Sequence, residues 1–194
     1  MRTELAITAR PAAVPSIHAI GGLAGRITGT DTVHVIGTAA TPLGGDHIEI
    51  AIDVTAGARL TLRSAAASIA LPARATDRST AHWQIDVGDD AYLDVDLEPI
   101  VVAAGADHRA VVEIRIAPTA SVRFRERVQI GRAGESHGRW SGELHADTGG
   151  SPLLRHRLDL GAGTPADDVI DAPRALISEL VFPADRPAAT IGLH

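Results

Sequence analysis

The sequence predicts an all-β chain of stacked β-hairpins in a superhelical, solenoid-like arrangement, closed by a short C-terminal helical element. Two observations carry the prediction. In the stretch from Pro42 to Ser64, residues Ile48, Ile50, Ile52 and Val54 alternate strictly with His47, Glu49, Ala51 and Asp53. A period of two with one apolar side is a half-buried strand. Thr55-Ala56-Gly57-Ala58 then supplies a turn, with Gly57 free to take positive φ. Leu60 and Leu62 resume the apolar side against Arg59, Thr61 and Arg63, which reads as a β-hairpin. The second observation is repetition. Ile52-Asp-Val54 with Ala58-Arg-Leu60-Thr-Leu62 matches Ile85-Asp-Val87 with Ala91-Tyr-Leu93-Asp-Val95, and again Ile114-Arg-Ile116 with Ala120-Ser-Val122-Arg-Phe124. A unit recurring at roughly 20–50 residues implies stacked supersecondary elements over one continuous core.

Composition bounds the answer. The chain of 194 residues suffices for a single domain, read as 1–194, with a sizeable core. Aromatic residues make up only 3%, so the core is aliphatic and lacks the rings of nucleic-acid or sugar stacking surfaces. The net charge of −6 argues against a nucleic-acid partner. All 18 basic residues are Arg, which excludes a Lys nucleophile or a phosphate-loop Lys. With no Cys there are no disulfides or thiolate metal sites. No apolar run approaches the roughly 18–20 residues of a membrane span, and the N-terminus leads into no signal core. The reading is a cytoplasmic protein without a membrane partner.

Taken in order, residues 3–9 alternate as a first strand, and Arg10 to Pro15 form a loop with two prolines. Ser16 to Ile27 is Gly-rich, and Thr32 to Gly37 is a short strand. Ala65 to Ala75 is read as extended because of Pro72 and its context. Trp83, Ile85 and Val87 face inward on the next strand, followed by Leu93, Val95 and Leu97. Pro99 to Asp107 is a crossover. Val112, Ile114, Ile116, Val122, Phe124 and Val128 form a third inward set. Gly142 to Leu160 reads as a further hairpin turning at Thr148 to Ser151. Asp171 to Leu180 is read as a helix, with Asp171 as N-cap, Pro173 in the first turn, and Leu176, Ile177 and Leu180 as its stripe. The tail from Phe182 shows no clear closing element.

Several residues are candidates for function. Gly44-Gly45-Asp46 places a carboxylate at a strand mouth, either as a turn cap or facing an interior space. Asp94, Asp96 and Glu98 share a strand face, which is either a solvated acidic face or a weak cation site. Arg123, Arg125 and Arg127 share another, either pairing with an acidic neighbour strand or binding a protein. Glu126 has the parity of Val122, Phe124 and Val128, on the apolar side, where a carboxylate is costly without a partner. Such a residue marks a functional site or a structural network, with Arg132 or Arg139 as partner. The nine His residues form no HxH or HxxxH pair, so no metal site is assigned. There is no recognisable nucleophile motif.

As a set, Gly44-Gly45-Asp46, Gly57-Ala58, Ser64 to Ser68, Pro99-Ile100, Glu126, Gly131-Arg132 and Gly134-Glu135 resemble the urease accessory protein family UreD, also called UreH, in its compact actinobacterial form. The similarity runs from about Thr32 to Gly161. The chain departs from the family at Ala67-Ser68-Ile69-Ala70-Leu71, where the family usually shows Ala-Thr-Lys-Val-Tyr. The resemblance implies a non-enzymatic scaffold that assembles with UreF, the GTPase UreG and urease apoprotein and helps nickel reach the urease active site. It implies no tightly bound cofactor and at most transient Ni²⁺. It also implies an interior polar passage, with Asp46, Ser64, Ser68, Glu126 and Glu135 as its candidates, and a partner surface with Arg123, Arg125, Arg127 and Arg132 as candidates. The competing readings are a metal-dependent enzyme using Asp94, Asp96 and a His, and a generic cytosolic β binding module.

Overall fold

In the computed structural model, the apolar residues of each repeat face one interior and the polar residues face out. The structure describes residues 1–135, 137–165, 172–183 and 189–193. The strands of its first half are β1 (Arg2–Ala9), β2 (Ser16–Ile20), β3 (Leu23–Ile27), β4 (Thr32–Gly37), β5 (His47–Val54), β6 (Arg59–Ser64), β7 (Ser68–Ala70) and β8 (Arg78–Val87). Those of its second half are β9 (Tyr92–Asp96), β10 (Ile100–Val102), β11 (Asp107–Ile116), β12 (Ser121–Ile130), β13 (Arg139–Thr148), β14 (Ser151–Gly161), β15 (Ala175–Phe182) and β16 (Ala189–Leu193). Sheet A runs β14-β13-β11-β8-β5-β1-β2, and sheet B runs β16-β15-β12-β9-β6-β4-β3, with β10 attached to β12 and β7 to β10.

The solenoid-like stacking follows the expectation, but its repeat unit is an arch rather than a hairpin. Strand β5 pairs in parallel with β1 and β8, whereas β6 pairs in parallel with β4 and β9. The turn at Thr55 to Ala58 therefore carries the chain from one sheet to the other. Alternation with a period of two is the same in an arch and in a hairpin, so the pattern does not distinguish them. The three turns share one geometry: the amides of Ala58, Ala91 and Ala120 donate to the carbonyls of Thr55, Gly88 and Ala117 at 2.9, 3.2 and 3.0 Å. All three alanines are buried. The unit from β13 to β14 is a true antiparallel hairpin, as expected.

Parallel register stacks like on like. Ile7, Ile52, Ile85 and Ile114 lie in one row across sheet A, and Val33, Leu62, Val95, Phe124 and Leu180 in one row across sheet B. These rows meet face to face as the main core. Each such side chain contributes roughly 1.5–3 kcal/mol by leaving water. A second apolar cluster, with Val102, Val128, Ile130, Trp140, Leu160 and Leu176, lies at the other end of the long strands.

The expected C-terminal helix is a strand. Asp171 lies outside the described residues, but β15 pairs antiparallel with β12 from Val122↔Phe182 to Gln129↔Ala175. Leu176, Ser178 and Leu180 face inward, while Ile177 and Val181 stay about 40% and 39% exposed. Leu176, Ile177 and Leu180 give the segment its helical spacing, but Ile177 lies on the outer side of the strand, and the open edge of β12 decided the outcome. The tail does hold an element, since β16 pairs with β15.

Trp140 is the largest fully buried side chain, and its seat requires Gly142, where a Cβ would lie 2.1 Å from the indole Cη2. Gly142→Ala is expected to cost about 1–3 kcal/mol through overpacking, measured as a lowered urea midpoint. An unchanged midpoint would contradict this account of the second cluster.

Candidate functional site

Pairing along one edge of β12 lapses at one place. Strand β9 pairs with Ser121 to Arg125, and β10 pairs with Val128 to Ile130, leaving Glu126 and Arg127 between them. The same seam continues across sheet B, because β6 ends at Ser64 and β7 begins at Ser68. The chain leaves the sheet here at Leu97 to Pro99, where Pro lacks the donor a ladder needs.

Beneath the seam lie two adjoining chambers, both partly open to solvent. The outer one, of about 500 Å³, is lined by Ser64 to Ile69, the Ala39 to Pro42 loop, and Ile48 and Ile50 of β5. The inner one, of about 120 Å³, is lined by Val95, Ile100, Val112, Phe124, Glu126 and Trp140 among others. The chambers share Ser68, Ala81, Trp83, Leu97, Glu98 and His108. The inner chamber touches both apolar clusters and so occupies the gap between them.

Glu126 faces this inner chamber, as its parity predicts. Neither expected partner reaches it: the Arg132 side chain bonds Glu135 instead, and no hydrogen bond or ion pair to Arg139 forms. Among the described residues the Glu126 carboxylate has no hydrogen-bond or ion-pair partner. The side chain is half-buried and lines the chamber, and burial pushes its pKa up to about 7.

His108 was missed by sequence reasoning, although the parity argument applied to Glu126 finds it. In Asp107 to Ile116 it shares the face of Ala110, Val112, Ile114 and Ile116. It is 2% exposed, and its Nδ1 lies 2.9 Å from the Ser79 hydroxyl. Burial pushes it down to about 4, so the imidazole is neutral at neutral pH. The Trp140 indole N–H is also buried, without a hydrogen-bond partner among the described residues.

The other passage candidates divide. Ser64 and Ser68 line the space, and the Ser64 hydroxyl accepts the Glu98 amide at 2.9 Å. Asp46 does not line it. Its carboxylate takes the Met1 amino group at 2.6 Å, the Thr41 hydroxyl at 2.9 Å and the Leu43 amide at 2.9 Å, which is the turn-capping alternative. Glu135 is turned to the backbone amides of Ala104 and Arg132, both at 3.0 Å, and to the Arg132 guanidinium, which holds its carboxyl down to about 2.

On the outer face of sheet B the arginines meet acids. Asp94 accepts Arg63 at 2.6 Å and Arg123 at 3.3 Å, and Asp96 lies 2.7 Å from Arg127 and 3.4 Å from Arg125. Glu179 on β15 takes Arg123 and Arg125, each at 2.8 Å. With four guanidinium groups around them, Asp94 and Asp96 offer a metal cation no free carboxylate pair. Among the described residues no group of three or more His, Cys, Asp or Glu is placed to hold a metal, and no helix is long and apolar enough to cross a membrane.

The family profile of UreD urease accessory protein matches residues 25–182. Urease accessory protein UreD 1 of Saccharopolyspora erythraea is 37% identical over 173 residues, covering 88% of this chain and 68% of that protein. Urease accessory protein UreD of Frankia alni is 40% identical over 152 residues, covering 70% and 51%. Urease accessory protein UreD of Streptomyces coelicolor is 34% identical over 171 residues, covering 82% and 66%. The chain thus spans about half to two thirds of the length of these curated relatives.

The raised pKa of Glu126 fixes the sign of a pH effect. The folded protein keeps a proton that the unfolded chain, near 4.5, has released. Stability from this group is therefore full below about 4.5 and is lost as pH rises toward 7. Relative to wild type, Glu126→Gln is expected to gain about 1–3 kcal/mol at about pH 8 and little at about pH 5, read from urea unfolding. The same difference at both pH values would show that Glu126 has a partner.

Proposed function

The chain belongs to the UreD urease accessory protein family, and we propose that it serves urease maturation as a scaffold that passes nickel through the space beneath the seam. In this reading it assembles in the cytoplasm with UreF, UreG and urease apoprotein and turns over no substrate of its own. Nickel is cargo, present transiently rather than as a resident cofactor. The observation that carries the reading is Glu126: an unpaired carboxylate at the inner end of a space that widens toward the Ser64 to Ser68 segment. A carboxylate held there costs stability and offsets no other charge, which is the arrangement expected of a group kept for a visiting cation.

Ser64, Ser68 and Glu126 are the passage residues. Asp46 and Glu135 brace the loops near it, as their hydrogen bonds to Leu43, Ala104 and Arg132 support. The face formed by Arg123, Arg125 and Arg127, with Arg132 beyond it, is the proposed partner surface. Its charge is largely neutralised by Asp94, Asp96 and Glu179, so shape and hydrogen bonding contribute more to docking there than net charge does.

The test is urease activation in cells carrying the urease genes. Glu126→Gln is expected to fold and to co-purify with UreF as wild type does, while urease activity falls several-fold. Normal activation with this variant, at equal protein level, would end the passage reading.

A further inference from the structure

Sheet A has two open edges, and they are built differently. The β14 edge carries Pro152, Arg155, Arg157 and Asp159, the kinds of residue by which natural sheets discourage strand addition. The β2 edge, Ser16-Ile17-His18-Ala19-Ile20, has no Asp, Glu, Arg or Pro, and among the described residues it pairs only with β1. Its unpaired backbone N–H and C=O groups are a template for a further strand.

The side chains at this end are uncovered as well. Ile17 turns inward and packs on Gly25 of β3, where a Cβ would lie 2.9 Å from the Ile17 Cδ1. Ala19 stands opposite the buried Leu5, and Ile27 opposite the buried Val33, so both have inward parity. Ala19 is nonetheless exposed, and Ile27 is 46% exposed. Ile20, on the outer side, is 53% exposed. Stacked-coil folds close their ends with a polar cap. This end instead presents apolar side chains and free backbone together.

We propose that the β2 edge is a self-association surface, at which a second copy of this chain adds its own β2 antiparallel and sheet A runs on through both molecules. This association is independent of the passage beneath the seam. Hydrogen bonding and charge together select a second copy. A free edge offers N–H and C=O groups in alternation, and an antiparallel copy offers the same set, so the edge is complementary to itself about a two-fold axis at His18. In that register Ile17 of one copy faces Ala19 of the other, and Ser16 faces Ile20. Copies of a chain with net charge −6 repel one another, and an uncharged edge is where they meet at least cost. On the adjacent strand, Arg2 and Glu4 pair with each other at 2.7 Å and add no net charge. The same approach sets the two β3 edges side by side, so the exposed Ile27 side chains cover one another.

Sedimentation equilibrium of the purified chain at up to roughly 100 µM, a range suited to a small interface, is expected to show a dimer of the 20.1 kDa chain. Ile20→Arg and His18→Glu set like charges against each other across the axis, and each is expected to weaken the dimer by about tenfold or more. Both positions are exposed, so the fold is kept. Ile177→Arg, on the exposed outer side of β15, is expected to dimerise as wild type does. The chain has no Cys, so His18→Cys introduces its only thiol. Directly opposed Cα atoms of an antiparallel pair lie roughly 4.5–5.5 Å apart, within the span of a disulfide. Oxidised His18→Cys is therefore expected to run as a covalent dimer on a non-reducing gel, while Ile177→Cys stays monomeric. A monomeric wild type that gives no cross-link through His18→Cys would overturn the proposal. So would a dimer that persists in both Ile20→Arg and His18→Glu, or equal cross-linking through Ile177→Cys. A monomeric wild type whose β2 variants lose UreF on co-purification would assign the edge to a foreign strand, and that also overturns it.

Discussion

In-register parallel stacking is the constraint on which the rest of the structure depends. Each coil places its inward residues directly over those of the next, so Ile7, Ile52, Ile85 and Ile114 share one row and Leu62, Val95 and Phe124 another. A row admits only residues of compatible size and polarity, because a misfit in one coil strains its neighbours on both sides. The core is accordingly aliphatic, and the buried alanines at 58, 91 and 120 recur at the arch turns. The site exists where this stacking stops. Sheet B loses its pairing between Arg125 and Val128, the chain detours through residues 65–67 and 97–99, and the two apolar clusters separate. Glu126 and His108 fall within that gap and not within the rows.

The outer face of sheet B is ordered by the same register but with opposite chemistry. Acidic β9 lies between Arg63 on β6 and the arginines of β12, and Glu179 continues the alternation on β15. These groups are between one eighth and one third exposed, so each pair is partly shielded from water. Shared carboxylates make the set a network rather than isolated surface pairs, which is the case in which such pairs contribute measurably. The network clamps the two edges of β12 on the side opposite Glu126. It holds the strand that carries the lone carboxylate and leaves the inward face uncompensated.

Much of this was legible in the sequence, and what was not has a physical reason. Period-two alternation located β5, β6, β8, β9, β11 and β12 and turned Glu126 inward. It did not tell arch from hairpin, because which strand pairs with which is settled by long-range contacts. In the segment from Ala175 to Phe182 the outward Ile177 stands beside the inward Leu176 and Leu180, and that spacing makes a strand look like a helix. Asp46 looked alike as cap or wall because its partners, Met1 and Thr41, converge on it only in the fold. His108 was readable from parity alone. It was passed over because His was sought at pair spacings suited to a metal cage, and two inward residues that line one cavity from different sheets have no sequence spacing.

The central claim is that the inward polar residues at the seam are kept for a cation and not for the fold. Anomalous diffraction at the nickel edge, from crystals of the chain equilibrated with NiCl₂, tests it most directly. The account predicts a peak in the inner chamber beside Glu126. Peaks confined to the outer faces, such as beside His82 between Glu49 and Glu113, with the chamber holding ordered water alone, would contradict it.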